Sequence, residues 1–222
     1  MMELNKIYCG DCLDFMREMP DKSVDLVLTD PPYGIGENHK KNNSRANPTY
    51  KWRDAHPTDY GEYNWDESAP SKEYFNEIFR VSKDQIIFGG NYFNLPPTSC
   101  WIIWDKKSLC DYADAELAWT SFKSAVRIFR WMWCGFRQED IEHKEKRDHP
   151  TQKPLPLMMW CLEKYSKEGM TVLDPFMGSG TTCVACVKTG RNYIGIDKEP
   201  TYVEIARKRL EKVNNTKLSE WF

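Results

Sequence analysis

Two short stretches hold residue types whose spacing could do chemistry. The first, TDPPYG (29–34), sets an acid, two prolines and an aromatic ring in succession at the end of an apolar run. Proline fixes φ and pushes the residue before it towards extended geometry. Asp30 and the carbonyl of Pro31 are thereby held as two acceptors at fixed spacing, with Pro32 and the flat face of Tyr33 following directly. Two acceptors beside a stacking ring suit a planar group with an exocyclic amino group, and a nucleobase is such a group. The bland alternative is a Pro-rich strand-to-loop turn closed by an Asp cap.

The second stretch, TVLDPFMGSGTT (171–182), is an apolar strand that ends in an acid and turns through Gly178 and Gly180 into a helix. Glycines let the backbone approach a ligand closely, and a helix N-terminus offers free N–H groups to an anion. A P-loop needs Lys-Ser/Thr after its last glycine, whereas Thr181 and Thr182 follow Gly180 here, which disfavours phosphate hydrolysis. The next apolar run, NYIGID, ends in Asp197, about 20 residues on, where an acid suits the hydroxyls of a ribose. The GxGxxG fingerprint is absent, so an adenosine-bearing cofactor other than NAD is the better reading. Glycines that merely turn the chain, and an Asp197 that merely caps a helix, remain the alternative.

Both stretches need strands that end at one edge and helices that start there. Short β-rich apolar runs recur as KIYC, VDLVLTD, QIIFGG, CWIIWD, AELAWT, AVRIFRW, TVLDPF and NYIGID. Helical patterns lie among them. In SKEYFNEIFRVS, Tyr74, Phe75, Ile78 and Phe79 share a face behind a capping Ser71. Gly169 and Gly190 end the helical patterns PLPLMMWCLEKYSKEG and GTTCVACVKTG, and TYVEIARKRLEKV sets Tyr202, Ile205, Ala206 and Val213 on one side. The alternation predicts a mostly parallel sheet with helices on both faces, with DPPY at its carboxyl edge, where open α/β folds bind ligands. AELAWT and AVRIFRW, separated only by SFKS, read as an antiparallel hairpin. Residues 36–66 and 134–152 are polar or charged and aperiodic, and long loops of this kind are usually functional or disordered.

A length of 222 residues suits one α/β domain. No run of about 18 apolar residues and no basic-then-apolar leader occurs, so the expectation is a soluble, cytoplasmic protein. Eight cysteines without an export signal read as reduced thiols, and the pairs Cys9/Cys12 and Cys183/Cys186 would have to converge to hold zinc. The net charge of −2 gives no global field for nucleic acid, so contact would fall to local runs: HKKNNSR (39–45), Lys106 and Lys107, and HKEKR (143–147) with Arg137. Such runs are often only solvated faces.

Together, DPPY and DPFMGSGTT resemble the amino-group DNA methyltransferases that use S-adenosylmethionine, the adenine-N6 and cytosine-N4 family. DPPY precedes the glycine turn, which is similar to the permuted β class. GDCLDFM (10–16), FGGNYF (88–93), WIIWDK (101–106) and HPTQKP (149–154) also resemble family segments in the family's order. The likeness covers almost the whole chain and looks like the compact forms found in phages and prophages. It implies a Rossmann-like methyltransferase fold: a mostly parallel seven-stranded sheet with an antiparallel hairpin and circularly permuted motif order.

The resemblance implies catalytic roles for Asp30, Pro31, Pro32 and Tyr33, with the first two accepting the hydrogens of a target amino group and Tyr33 stacking on a flipped base. It implies that Asp174, Phe176, Gly178, Ser179, Gly180 and Thr181 surround the methionine part of the cofactor. Asp197 would hold the ribose, Asp11 would face the adenine amino group, and Lys153 has a charge suited to the methionine carboxylate. Asp11 equally suits a helix cap. No metal is required. The expected partner is double-stranded DNA, with loop 36–66 and its Tyr50, Trp52, Tyr60, Tyr63 and Trp65 as a candidate lid, and 106–148 as a small target-recognition region. With so small an insert, either the recognition sequence is short or a second subunit, in a homodimer, completes the DNA grip. DPPY resembles the adenine-N6 members. The alternatives are a cytosine-N4 enzyme and a DNA-binding subunit without turnover.

Overall fold

The computed structural model describes residues 2–35, 68–107, 113–134, 137–142, 145 and 152–219. Its strands are β1 (Lys6–Cys9), β2 (Val24–Thr29), β3 (Ser82–Phe88), β4 (Ile102–Asp105), β5 (Ala115–Thr120), β6 (Arg127–Arg130), β7 (Trp133–Cys134), β8 (Arg137–Gln138), β9 (Thr171–Asp174) and β10 (Asn192–Asp197). The helices are α1 (Cys12–Arg17), α2 (Lys72–Val81), α3 (Leu155–Tyr165), α4 (Thr181–Thr189) and α5 (Pro200–Ser219). The candidate lid 36–66 and the run HKKNNSR lie outside the described residues.

The main sheet runs β1-β10-β9-β2-β3-β5-β4-β6. Pairings from β1 through β3 are all parallel. VDLVLT and SKDQIIF sit in the middle and are nearly continuously buried, because a central parallel strand is covered on both faces. Successive residues serve opposite layers. Leu26, Leu28, Ile86 and Phe88 pack with α3, α4 and α5, while Val27, Ile87, Leu173 and Ile196 pack with α1 and α2. The mostly parallel α/β architecture is the expected one.

Two expectations need correction. The sheet has eight strands rather than seven, and AELAWT and AVRIFRW do not form a hairpin. β5 pairs antiparallel with β3 on one side and β4 on the other, and β6 lies beyond β4, parallel to it. Burial explains the order. Ala118, Trp119 and Thr120 of β5 are buried and need neighbours on both sides, whereas RIFR is largely exposed and suits an edge. The antiparallel hairpin of the fold is β4–β5, and a separate small one joins β7 and β8.

Some helix boundaries follow their signals; Ser71 stands at the N-cap of α2 as expected but makes no side-chain cap hydrogen bond among the described residues. Asp11 caps α1, its Oδ1 accepting from the Leu13 N–H at 2.9 Å. Gly190 closes α4 at φ +72°. α3 stops at Tyr165, short of Gly169, because Ser166 turns extended and its hydroxyl donates to the Leu162 carbonyl. The predicted apolar face of α5 includes buried Tyr202 and Ala206. Among the described residues, no helix is long and apolar enough to cross a membrane.

Candidate active site

Four strand ends meet at the carboxyl edge. β2 delivers Asp30, β9 delivers Asp174 and the glycine turn, β10 delivers Asp197, and β1 leads through Gly10 to Asp11. β2 and β9 are hydrogen-bonded neighbours, and the Thr29 hydroxyl donates to Asp174 Oδ1 at 2.7 Å across them. The two stretches singled out by sequence, far apart along the chain, therefore share one edge.

On the β2 side, Asp30 Oδ1 accepts from the Tyr33 hydroxyl at 2.7 Å, and Oδ2 accepts from Lys153 Nζ. Lys153 is nearly fully buried and also reaches Glu116 Oε2 at 3.1 Å. Lys106 pairs with the other oxygen of Glu116. Four charges of alternating sign thus lie in a row: Asp30, Lys153, Glu116, Lys106. Burial raises the Asp30 pKa, and Glu116 adds to the rise, against the pull of Lys153. For Glu116, burial also raises the pKa, but Lys153 and Lys106 together outweigh it and bring it down to about 2. Burial would strip Lys153 of its proton, and Asp30 and Glu116 hold it on. Tyr33 stays protonated, since burial and Asp30 push its pKa well up.

The Tyr33 ring stacks on Tyr92, centroids 4.9 Å apart and planes within 15°. Gly89 makes this possible: its φ is +65°, and a Cβ there would come within 2.1 Å of the Tyr33 ring. FGGNYF therefore supplies both the space for the DPPY tyrosine and a ring against it.

On the β9 and β10 side, Asp197 Oδ2 accepts from the Gly178 N–H at 2.8 Å and Oδ1 from the Glu199 N–H at 2.9 Å. Burial raises its pKa in spite of those two donors. Ser179 and Thr181 are both buried, held by other side chains: Arg209 of α5 donates to the Ser179 carbonyl at 2.7 Å, to its hydroxyl at 2.9 Å and to Thr181 Oγ1 at 3.1 Å, while Ser179 donates to Gln152 at 3.2 Å. Asp174 is likewise buried, its pKa pushed by desolvation up to about 7 against the donors Thr182, Thr29 and the Phe176 N–H. Phe176 faces Tyr74 at 6.0 Å, and the Tyr74 hydroxyl donates to Asp11 Oδ2 at 2.9 Å.

These placements sort the expected site residues. Asp30, Pro31, Pro32, Tyr33 and Lys153 gather on one side; Asp11, Phe176, Gly178 and Asp197 gather on the other. Asp174, Ser179 and Thr181 have their side chains turned into the framework, so the turn offers a ligand its backbone more than those side chains. Lys153, expected to face a cofactor carboxylate, has its charge on Asp30 and Glu116. Lys106 and Lys107 are not free basic groups: Lys106 is committed to Glu116, and Lys107 pairs with Glu139 at 2.7 Å. Glu145, inside the run HKEKR, accepts from the Leu155 N–H at 2.9 Å at the start of α3. Glu116, Tyr74, Gln152 and Arg209 are site residues that sequence reasoning missed.

A family model described as DNA methylase, that of the N6/N4 methyltransferases, matches residues 97–208, more than half of the chain. The chain belongs to that family. This N6/N4 methylase is 27% identical to the Type II methyltransferase M2.MboI of Moraxella bovis, over 93% of this chain and 88% of that protein. It is also 27% identical to the Type II methyltransferase M.HinfI of Haemophilus influenzae, over 95% of this chain and 69% of that one. Among solved structures, the fold matches a DNA modification methylase of Thermus thermophilus with a TM-score of 0.56 at 20% identity, covering 94% and 95% of the two chains. It matches the PvuII DNA methyltransferase, described as cytosine-N4-specific, with a TM-score of 0.61 at 15% identity, covering 97% and 92%. Membership makes this chain a DNA methyltransferase whose methyl donor is S-adenosylmethionine.

The cradle fits such a donor. Asp197 and Asp11 are acceptors at adjacent strand ends, Phe176 and Tyr74 supply flat faces, and α4 starts at the glycine turn, where the first N–H groups of a helix have no intrahelical carbonyl partner.

Proposed function

We propose that this N6/N4 methylase transfers a methyl group to the N6 amino group of an adenine flipped out of double-stranded DNA, with Asp30 as the principal acceptor. The single observation that carries the reading is the adjacency of Asp30 and the glycine turn on hydrogen-bonded strands β2 and β9. It sets an acceptor carboxylate beside the cofactor cradle.

The cofactor, when bound, supplies an electrophilic methyl group on a sulfonium centre. The difficulty lies with the amino group, whose lone pair is delocalised into the base. Asp30 and the Pro31 carbonyl accept its two hydrogens, which favours a pyramidal nitrogen and stabilises the positive charge that develops on it. A carboxylate has about four acceptor positions, so Oδ1 can keep the Tyr33 hydroxyl while the group is held. Tyr33 stacks on the base, and fixed orientation of base and donor supplies a further share of the rate. Asp197 is assigned to the ribose and Asp11, shared with Tyr74, to the adenine end of the cofactor.

A sequence of DPPY type supports adenine; cytosine-N4 transfer is the second reading, since the same two acceptors suit either amino group. Exposed Val126 and Ile128 on and beside the edge strand β6 favour a homodimer through that edge. The test is to incubate the protein with S-adenosylmethionine and unmethylated genomic DNA, then digest to nucleosides for mass spectrometry. N6-methyl-2′-deoxyadenosine supports the proposal, N4-methyl-2′-deoxycytidine moves it to the second reading, and no methylated deoxynucleoside overturns it.

A further inference from the structure

We propose that Glu116 is a positioning residue that takes Lys153 from Asp30 when an amino-bearing base enters, so that the acceptor carboxylate is cleared by an exchange of ion-pair partners. The inference rests on the reading of Asp30 as the acceptor.

Both oxygens of Asp30 are occupied, Oδ1 by the Tyr33 hydroxyl and Oδ2 by Lys153. Oδ2 has room for a second hydrogen, but an ammonium group held there opposes the positive charge that develops on the amino nitrogen, so transfer is favoured once Lys153 has moved away. Lys153 is buried, with its Nζ 5.6 Å from the centroids of both the Tyr33 and Phe88 rings, so water does not readily take over its charge. Leaving a buried cation without a partner is strongly unfavourable. One acceptor is already in place. Glu116 Oε2 is buried and lies 3.1 Å from Lys153 Nζ, a longer contact than the one Nζ makes with Asp30 Oδ2. The other oxygen is anchored by Lys106, itself seated 4.9 Å from the Trp104 ring centroid. A small swing of Nζ shortens the contact with Glu116 as the one to Oδ2 is given up. Lys153 keeps its proton throughout, and the number of buried charges does not change.

Asp30 faces Lys153, Glu116 and Tyr33, and it also acts electrostatically on Asp174 across β2 and β9. Removing the negative charge of Glu116 leaves Lys153 to Asp30 alone, which lowers the Asp30 pKa. Removing the positive charge of Lys106 has the opposite sign.

The experiment measures transfer of tritiated methyl groups from S-adenosylmethionine to unmethylated genomic DNA, across pH, by the wild-type chain, Glu116→Gln, Lys106→Gln and Asp30→Ala. For Glu116→Gln, kcat/KM for DNA should fall about tenfold or more, with cofactor affinity unchanged and the acid limb of the pH profile at lower pH. Lys106→Gln should lose less and move that limb to higher pH. Glu116→Gln with wild-type kcat/KM, or acid limbs that stay in place in both variants, would overturn the inference. Should Glu116→Gln not fold, Lys106→Gln decides alone by whether its limb rises. A wild-type chain that transfers no methyl group sinks the reading of Asp30 itself, whereas an active wild type with an unaffected Glu116→Gln sinks this inference only.

Discussion

The two halves of the active site are built by different means. Around Asp30, geometry is set by side-chain charges from four places in the chain: the ends of β2 and β4, the body of β5 and the segment before α3. Around the glycine turn it is set by backbone, with Asp197 accepting from Gly178, Gly180 in the left-handed region, and Arg209 gripping the Ser179 carbonyl. A backbone cradle is formed before any ligand arrives. A chain of ion pairs can exchange partners, which suits the half proposed to admit a base.

The cradle should break hardest when its backbone is altered. Gly180 has φ +78°, and a Cβ there would lie 2.8 Å from Ala206 Cβ where α5 packs on the turn. Gly180→Val combines overpacking with left-handed strain, for an expected loss of about 3 to 5 kcal/mol. Thermal unfolding in the absence of cofactor reads it, and a melting temperature within about a degree of wild type would refute the close approach.

Titration sharpens the contrast further. The folded-state pKa of Asp174, about 7, lies above its ordinary 3.8. The folded protein therefore binds the proton more tightly, and the stability that Asp174 contributes is fully present below about pH 4 and lost as pH rises through about 7. Asp174→Asn, which keeps an acceptor for Thr29 and the Phe176 N–H, should remove that loss and be more stable than wild type at about pH 8 by up to about 4 kcal/mol. Denaturant unfolding at about pH 5 and about pH 8 gives the comparison. A variant less stable than wild type at the higher pH would mean that Asp174 is ionised and well compensated.

Smaller effects separate the halves by function. Asp197→Ala should weaken cofactor binding by about 2 kcal/mol, the cost of losing hydrogen bonds to a charged group, with little effect on a saturated rate; calorimetry with S-adenosylmethionine measures it. Tyr33→Phe keeps the ring against Tyr92 and removes only the hydroxyl on Asp30. It should cost about 1 kcal/mol in kcat/KM and leave cofactor affinity alone. A larger loss than that of Asp197→Ala would make the hydroxyl, and not the ring, the main contribution of Tyr33.

The same division explains what could be read from sequence. DPPY and the glycine turn are local: an apolar strand, then residues whose backbone preferences are strong, so their places at the ends of β2 and β9 followed from the alternation of strands and helices. The pairing of β5 did not, because a four-residue connection suggests a hairpin, and only tertiary burial places β4 between β5 and β6. Glu116 reads as one polar residue in AELAWT, and its role depends on Lys106 and Lys153 arriving from elsewhere. Arg209 and Tyr74 looked like ordinary helical positions; their contacts with Ser179 and Asp11 span 30 and 63 residues. Lys106 sat in a basic run that suited DNA, and no local signal marks a lysine whose carboxylate partner is on the next strand.

The central claim is that Asp30 acts on the amino group and the glycine turn on the cofactor. The most direct measurement is a pair of assays on Asp30→Ala: S-adenosylmethionine affinity by calorimetry, and single-turnover methyl transfer to unmethylated DNA at saturating cofactor. The expected result is wild-type cofactor affinity with transfer slowed by about 10³. Transfer near the wild-type rate, or a loss explained wholly by weaker cofactor binding, would contradict the account.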